Sequence, residues 1–299
     1  MRILLFGKRG QVGWELQRSL APLGEIVALD QEGDGCLCGD LNDLRGLAQC
    51  VRQVSPDVIV NAAAHTAVDR AENEPDLAMT LNARAPGVLA EEARRLGAWL
   101  VHYSTDYVFD GSGERPWREG DPTAPLSVYG QSKLAGEQAI AGECARHLIF
   151  RTSWVHAARG NNFVRTMLRL ASERDELRIV ADQVGAPTGA ELLADVTVHV
   201  ICRARERPEL AGLYHLVASG ATSWHAYALH VIERARQAGQ AVRVTADAIR
   251  PVPSSAFPTP ARRPLNSRLD TTRLRESFSL VLPDWRVGVD RTLAEILGR

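Results

Sequence analysis

The sequence predicts an α/β protein built on a doubly wound parallel sheet, with a smaller substrate-binding lobe at the C-terminal end. Two observations lead to this prediction. Short apolar runs alternate with segments of helical spacing through the first half of the chain, which is the pattern of successive βα units. The first apolar run, Arg2–Phe6, leads directly into a glycine-rich loop and a helix. This order is typical of a Rossmann-like dinucleotide-binding fold.

The composition fits an ordinary globular protein and argues against two classes of partner. The chain has 299 residues, of which 45% are hydrophobic and 24% charged, and its net charge is -1. Such a balance provides no basic surface for nucleic acid or for a membrane. The length allows a nucleotide-binding domain over residues 1–155 and a lobe over residues 156–299, and part of the lobe, about 177–220, is expected to return to the sheet.

The cysteines and the N-terminus indicate a cytoplasmic protein. The five cysteines are an odd number without CxxC or metal-site spacing, which is typical of reduced thiols. The first apolar run meets the glycine loop directly and leaves no room for a cleavable signal. No run approaches the length of a membrane span.

The glycine loop is the first candidate binding site. Gly7, Gly10 and Gly13 are spaced G-x-x-G-x-x-G, with Gln11 and Val12 between the last two. Glycines let the backbone turn tightly and approach a pyrophosphate, and the start of the following helix offers N–H groups and a positive dipole. The loop is therefore predicted to bind a nicotinamide dinucleotide. The alternative is a glycine-rich turn without a ligand.

The second strand, Glu25–Leu29, ends at Asp30. An acid at this distance from the glycines usually binds the adenosine ribose hydroxyls, which favours NAD. Lys8 and Arg9 in the loop offer positive charge for a 2′-phosphate, so NADH and NADPH both stay open as cofactors.

Two further loops complete the predicted dinucleotide site. Asp40 and Leu41 are suited to contact the adenine edge. Asp40 is also a candidate cap of the helix predicted over residues 42–54, and the two roles are not exclusive. The third strand is predicted over residues 57–60. The loop that follows it contributes mainly small residues that let a cofactor lie against the backbone: Ala63, Ala64, His65 and Thr66.

Two polar residues near these loops each have two alternative roles. His65 is expected to be a positioned or merely hydrogen-bonded histidine rather than a catalytic base, because Tyr129 already offers proton transfer. Asn82 lies inside a helix predicted over residues 75–96. Its side chain either orders a water or a backbone carbonyl near the site, or is solvated.

The candidate catalytic residues follow the fourth strand. Residues 98–102 lead into this strand and on to Thr105, and the helix predicted over residues 127–144 carries Tyr129 and Lys133. A tyrosine and a lysine four residues apart share one helix face. We expect Lys133 to lower the pKa of the Tyr129 phenol, which would exchange a proton with an oxygen held by Thr105. The alternative is a chance pair on a surface helix.

The second half of the chain supplies candidate substrate residues. Trp154 follows the fifth strand, His147–Thr152, as an aromatic wall. Arg262 and Arg263 lie in a proline-rich segment, residues 249–269, predicted to be extended without regular structure. Their guanidinium groups suit a nucleoside diphosphate, and the alternative is a solvated surface. The other predicted elements are helices over 161–172, 191–205, 223–237 and 288–297 and strands over Leu177–Val180 and 213–217.

Together these motifs resemble the extended short-chain dehydrogenase/reductase family. The stretches that carry the resemblance span nearly the whole chain: GKRGQVGWEL from Gly7, NAAAHTAVD from Asn61, YSTDYVFDG from Tyr103, YGQSKLAGE from Tyr129, RTSWV from Arg151, QVGAPT from Gln183 and RRPLNS from Arg262. The resemblance is closest to members that reduce the C4 keto group of dTDP-4-dehydro-6-deoxy-L-mannose, which yields dTDP-L-rhamnose for cell-surface polysaccharide such as O-antigen.

The resemblance also implies roles for residues. Tyr129 would be the proton donor, Lys133 its pKa tuner and a ribose ligand, and Thr105 the ligand of the carbonyl oxygen. Substrate contacts are implied for five residues: Val68, Asp69, Asp106, Tyr107 and Trp154. Some members hold Mg²⁺ at a contact between two copies, which would make a homodimer. Three carboxylates could match that site, the third less securely: Glu15, Glu191 and Glu295.

Two other functions stay open on the same scaffold. A nucleotide-sugar epimerase would keep its NAD tightly bound, whereas a reductase exchanges it. A non-catalytic NADP-binding regulatory subunit would have no need of Thr105, Tyr129 and Lys133 together.

Overall fold

The computed structural model describes residues 1–298. The strands, in chain order, are β1 (Arg2–Phe6), β2 (Glu25–Leu29), β3 (Val58–Asn61), β4 (Trp99–Thr105), β5 (His147–Thr152), β6 (Val155–His156), β7 (Leu177–Val180), β8 (Val184–Gly185), β9 (Thr188–Gly189), β10 (Gly212–His215), β11 (Thr222–Ser223) and β12 (Ile249–Val252). The helices are α1 (Gln11–Leu20), α2 (Leu44–Val54), α3 (Val68–Ala71), α4 (Pro75–Met79), α5 (Ala85–Leu96), α6 (Val128–Glu143), α7 (Phe163–Glu173), α8 (Ala190–Glu206), α9 (Trp224–Gln237), α10 (Thr272–Phe278) and α11 (Trp285–Leu297).

Six parallel strands form the central sheet, in the order β10-β5-β4-β3-β1-β2. The chain runs outward from β1 to β2 and then returns to the other side of β1 with β3. Ligands of such sheets bind at this switch point, beyond the C-terminal ends of the strands. The predicted doubly wound α/β class is confirmed.

Both faces of the sheet are buried beneath helices. Successive side chains of a strand point to opposite faces, so they enter two different clusters. On β4, Val101 and Tyr103 pack into a cluster with residues of α1 and α8. Leu100 lies in the cluster on the other side, with residues of α2 and α5. His102 shares that second face of β4, and its position there matters for the site described below.

The C-terminal lobe has its own core of residues from α7, α9 and α11, including Met167, Tyr227 and Val289. It is tied to the sheet through α8, which packs on α1, and through β10 at the sheet edge. Both elements lie within residues 177–220.

One expectation is wrong in this half of the chain. The predicted strand Leu177–Val180 is present and pairs in parallel with Ile249–Val252, outside the central sheet. That partner is regular structure where residues 249–269 were expected to have none, and it accommodates Pro251 because it lies at a sheet edge. The helix Thr272–Phe278 was not predicted.

The helix predicted over residues 75–96 is continuous but irregular. A π-helical turn, Thr80–Arg84, joins α4 to α5 and contains Asn82. The extra residue of a π turn changes which side chains face inward, and such turns are frequent at functional sites. Asn82 is fully buried. Among residues 1–298, no helix has the length and apolar character needed to cross a lipid bilayer.

Candidate active site

Three adjoining cavities follow the C-terminal edge of the sheet. The first has about 520 Å³ and is lined by Asp30, Asp40 and Leu41. The middle cavity, of about 550 Å³, contains the candidate catalytic residues. The outer cavity, of about 730 Å³, is lined by Arg262 and Arg263. Lining residues shared between neighbours make them one groove: Gly7, Gly10, Ala63, Ala64 and Thr66 between the first two, Tyr107 and Trp224 between the last two.

Most predicted site residues line this groove. In the first two cavities lie the predicted dinucleotide ligands Gly7, Gly10, Gln11, Val12, Asp30, Asp40, Leu41, Ala63, Ala64, His65, Thr66, Tyr129 and Lys133. In the last two lie the predicted substrate residues Val68, Thr105, Asp106, Tyr107, Trp154, Arg262 and Arg263. Gly13 and Asp69 do not line any of these three cavities.

The backbone of the glycine loop packs so closely that a Cβ at Gly7 or Gly13 would clash with neighbouring backbone atoms. Gly7 has a φ of 88°, and a Cβ on it would lie 2.8 Å from the backbone N of Ala63. A Cβ on Gly13 would overlap the carbonyl oxygen of Gly7. Gly10 caps α1 without a side-chain hydrogen bond, so the first N–H groups of α1 remain available to an anion. Loop and helix start thus form a cradle for phosphate groups.

Asp30 is buried at the end of β2 and forms an ion pair with Arg9, whose Nε lies 2.7 Å from Asp30 Oδ2. Arg9 also donates to Glu32 at 2.8 Å, and the two acids raise the pKa of its exposed guanidinium. The charge of Asp30 at the first cavity is therefore partly balanced by a cation from the glycine loop.

Asp40 does not cap the following helix. It accepts the N–H of Asn42 at 2.9 Å, whereas Asp43 caps α2 by accepting the N–H of Gly46 at 2.9 Å. The additional role of Asp40 as the helix cap is therefore wrong, and its side chain closes a turn beside the first cavity.

Asn82 clamps the loop that follows β3. Its Oδ1 accepts the N–H of His65 at 2.8 Å, and its Nδ2 donates to the carbonyl of His65 and to Ser132 Oγ, each at 3.0 Å. The side chain therefore binds a backbone carbonyl near the lysine, as one of the two expectations held. His65 Nε2 lies 3.4 Å from Glu74 Oε2.

Tyr129 and Thr105 meet in the middle cavity. Burial raises the pKa of Tyr129 to about 12, against a lowering by a hydrogen bond with Thr105, while the charge of Asp106 raises it further. The net shift of the phenol pKa is therefore upward, opposite to the lowering expected from Lys133. The phenol is protonated at neutral pH and can act as a proton donor.

Lys133 is buried on the same face of α6, one turn after Tyr129. Its Nζ donates to the carbonyl of Tyr103 at 2.6 Å and lies 3.1 Å from His102 Nε2. Burial lowers the pKa of Lys133 to about 8, and the charge of Glu137 opposes this. The amine is therefore close to its titration point rather than a permanent cation.

Asp106 follows Thr105 and is likewise buried. Thr105 Oγ1 donates to Asp106 Oδ1 at 3.1 Å, and burial raises the pKa of Asp106 to about 6. Tyr107 meets the Tyr129 ring edge-on at a centroid distance of 5.6 Å. Tyr107 lines both the middle and the outer cavity.

A stack of two tryptophans forms the opposite wall, and sequence reasoning missed one of them. Trp154 and Trp224 stack with ring centroids 3.6 Å apart. Trp154 has a φ of 50°, which costs a non-glycine residue about 1–3 kcal/mol and is common at functional sites. Trp224 begins α9 after the capping residue Ser223. The only signal for Trp224 in the sequence is its position at the start of a helix in the lobe.

Arg263 does not extend freely into the outer cavity. It forms a two-pronged ion pair with Asp69, with distances of 2.7 Å and 3.1 Å, which lowers the Asp69 pKa. Arg263 and Asp69, both predicted to contact the substrate, therefore form an ion pair with each other. Arg262 is exposed and has no hydrogen-bond partner among residues 1–298.

The carboxylates expected to bind Mg²⁺ lie outside the groove. Burial raises the pKa of Glu191 to about 7, and the charges of Glu15 and Glu295 act in the same direction while Arg291 opposes them. Carboxylate oxygens suit Mg²⁺. Within residues 1–298 of one chain, however, no group of three acidic, histidine or cysteine side chains is arranged to hold a metal.

Comparison with known proteins assigns the chain to a family. The family model described as RmlD substrate binding domain matches residues 1–297. The dTDP-4-dehydrorhamnose reductase of Shigella flexneri is 60% identical over 296 residues, which cover 99% of this chain and 98% of that protein. The chain belongs to the dTDP-4-dehydrorhamnose reductase family.

Solved structures named for this family share the fold over almost the whole chain. The enzyme from Clostridium acetobutylicum has a TM-score of 0.89 at 34% identity and covers 98% of both chains. The enzyme from Bacillus anthracis, in complex with NADP, has a TM-score of 0.87 at 35% identity and covers 98% of this chain and 99% of its own. The family therefore includes a dinucleotide-binding member with the same architecture.

Proposed function

We propose that this chain reduces the C4 keto group of dTDP-4-dehydro-6-deoxy-L-mannose with NADPH or NADH and thereby forms dTDP-L-rhamnose. The observation that carries the proposal is the meeting of Thr105, Tyr129 and Lys133 in the middle cavity, between the glycine loop and the arginine-lined outer cavity. The Shigella flexneri relative named dTDP-4-dehydrorhamnose reductase is 60% identical over 99% of this chain.

The first two cavities fit a nicotinamide dinucleotide. The glycine loop and the free N–H groups of α1 suit the pyrophosphate, and Asp30 suits the ribose of the adenosine half. Bound in this groove, the reduced nicotinamide supplies the hydride. The arrangement supports a proton transfer by Tyr129, whose phenol keeps its proton at neutral pH, to an oxygen that Thr105 holds by hydrogen bonding.

The outer cavity suits the nucleoside diphosphate of the substrate. Arg262 offers an exposed guanidinium there, and Arg263 stays oriented by Asp69. The stacked rings of Trp154 and Trp224 offer an apolar wall next to Tyr129, where the deoxy sugar would lie.

The direct test is oxidation of NADPH or NADH with dTDP-4-dehydro-6-deoxy-L-mannose generated in the same tube by the upstream enzymes. We expect one dinucleotide oxidised for each dTDP-L-rhamnose formed. Absence of oxidation by folded protein that binds the dinucleotide would refute the proposal. If the purified protein instead carried tightly bound NAD and interconverted sugar nucleotides without net oxidation, it would be an epimerase.

A further inference from the structure

Beneath the middle cavity, three buried polar side chains form a line across the sheet onto α6. Asn61 on β3 is paired in register with His102 on β4, and His102 reaches Lys133 on α6. All three side chains are at most 2% exposed. The mechanism proposed above uses Lys133 and gives no role to the other two.

The hydrogen bond between Ala63 and Asn61 sets the direction of the other hydrogen bonds in this line. The backbone N–H of Ala63 can only donate, and it donates to Asn61 Oδ1 at 3.1 Å. The other end of the amide, Nδ2, therefore faces His102 Nδ1 at 3.2 Å and donates to it. Turning the amide round would place an NH₂ group against the N–H of Ala63.

The tautomer of His102 follows. Burial is the larger cause that holds the pKa of His102 well below its usual range, so the imidazole is neutral. A neutral imidazole that accepts at Nδ1 carries its hydrogen on Nε2. That N–H points at Lys133 Nζ, 3.1 Å away. An ammonium group has no lone pair with which to accept it, whereas a neutral amine does.

We propose that Asn61 and His102 are positioning residues that set the charge of Lys133, favouring a neutral amine at its Nζ that takes up a proton from solvent when the dinucleotide binds. In this state Nζ accepts from His102 and donates to the carbonyl of Tyr103. The inference rests on the proposed function, because binding of an anionic dinucleotide beside Lys133 is what favours the ammonium form.

Two other ionisable side chains lie one helical turn from Lys133 on α6, Tyr129 and Glu137. Glu137, one turn further along α6, favours the ammonium form, but its carboxylate is bound by Arg151 of β5 at 2.9 Å and 2.6 Å. Tyr129, one turn earlier, is a neutral phenol at these pH values. Because the pKa of Lys133 is about 8, its ammonium and amine forms differ little in free energy near this pH. The binding energy of the dinucleotide can therefore shift the equilibrium between the two forms.

Proton uptake on binding tests the proposal without turnover. Calorimetry of NADPH binding in buffers of different ionisation enthalpy should show uptake of about half a proton at pH 8, because an amine with a pKa of about 8 is half protonated there. In His102→Gln the side-chain carbonyl can accept from an ammonium group, so uptake should fall towards zero. The basic limb of the kcat/KM profile should also move up by about one pH unit.

The matched control is His147→Gln, the same change at the start of β5, where the ring contacts only the carbonyl of Cys144. It should keep the wild-type uptake and pH profile. A His102→Gln protein with unchanged uptake and profile would overturn the proposal. Reduction could still occur in that case, so the result is distinguishable from failure of the proposed function.

A measurement on the unaltered protein keeps the test valid even if His102→Gln does not fold. Ring ¹⁵N chemical shifts of His102 at pH 9 should show the hydrogen on Nε2, with Nδ1 unprotonated. The opposite tautomer, with the hydrogen on Nδ1, would overturn the proposal.

Discussion

At the scale of single residues, burial outweighs the charge of neighbouring groups in the middle cavity. It raises the pKa of Tyr129 to about 12, lowers that of Lys133 to about 8 and raises that of Asp106 to about 6. Each shift favours the neutral form. Near neutral pH the site is therefore poised to donate a proton from Tyr129 to a substrate oxygen.

Tyr129→Phe should lower kcat by about 10²–10⁴-fold, because general acid catalysis is typically worth that much. Cofactor affinity should change little, since only a hydroxyl is lost. Tyr214→Phe is the matched control, because it removes a buried hydroxyl that donates to the carbonyl of Leu210, outside the groove. Retention of more than about a tenth of wild-type kcat by Tyr129→Phe, with chemistry limiting the rate, would exclude Tyr129 as the acid.

The ion pair between Arg9 and Asp30 predicts that both coenzymes work, with kcat/KM values within about one to two decades, each decade being about 1.4 kcal/mol. Arg9→Ala should lower kcat/KM for NADPH relative to NADH, since the bare acid then repels a 2′-phosphate. Arg94→Ala, on the outside of α5, is the control. Strict use of one coenzyme by the wild type would show that one of these charges does not act at the ribose.

Replacing Arg262 and Arg263 together by Ala should raise KM for the dTDP-sugar by about 10-fold or more, with little change in cofactor affinity. The loss has two causes: Arg262 no longer supplies a cation, and Asp69 loses the partner that balances its charge. Arg243→Ala breaks a comparable surface ion pair with Asp175 and serves as control. A wild-type KM in the double variant would remove both arginines from the substrate site.

At the scale of elements, the start of α1 depends on close packing of the glycine loop. Gly13→Ala should weaken dinucleotide binding by at least about 10-fold, because the new methyl overlaps the Gly7 carbonyl and must displace the loop or the helix. Binding is measured by fluorescence titration with NADPH. Gly142→Ala in α6 is the control, since its methyl meets open space and alanine favours a helix by about 0.5–1 kcal/mol. Equal affinities in the two variants would contradict the proposed phosphate cradle.

At the scale of the whole molecule, the carboxylates Glu15 and Glu191 lie on α1 and α8, the two helices that pack together over one face of the sheet. If two copies share Mg²⁺ there, added MgCl₂ should increase the dimer fraction in sedimentation. The increase should be larger at pH 8 than at pH 6, because the metal needs the ionised carboxylate and the pKa of Glu191 is about 7. Glu191→Gln should abolish the effect. Sedimentation indifferent to MgCl₂ and EDTA would exclude this metal contact.

Local spacing along the chain was sufficient for much of this protein. The order of strand, glycine loop and helix predicts the dinucleotide cradle, because all its parts lie between Arg2 and Leu20. Tyr129 and Lys133 share a helix face for the same reason, and alternation of apolar runs with helices predicts the parallel sheet. These features depend on periodicity and backbone geometry, which neighbouring residues determine.

Only the tertiary structure decided the contacts between distant segments. Arg263 binds Asp69, which is 194 positions earlier in the chain, and Trp224 stacks on Trp154. β7 pairs with β12 and is not part of the central sheet. The direction of the pKa shift of Tyr129 belongs here too. Proximity to a lysine predicts a lower pKa, but the net shift depends on how completely packing removes water, and no local pattern in the sequence carries that information.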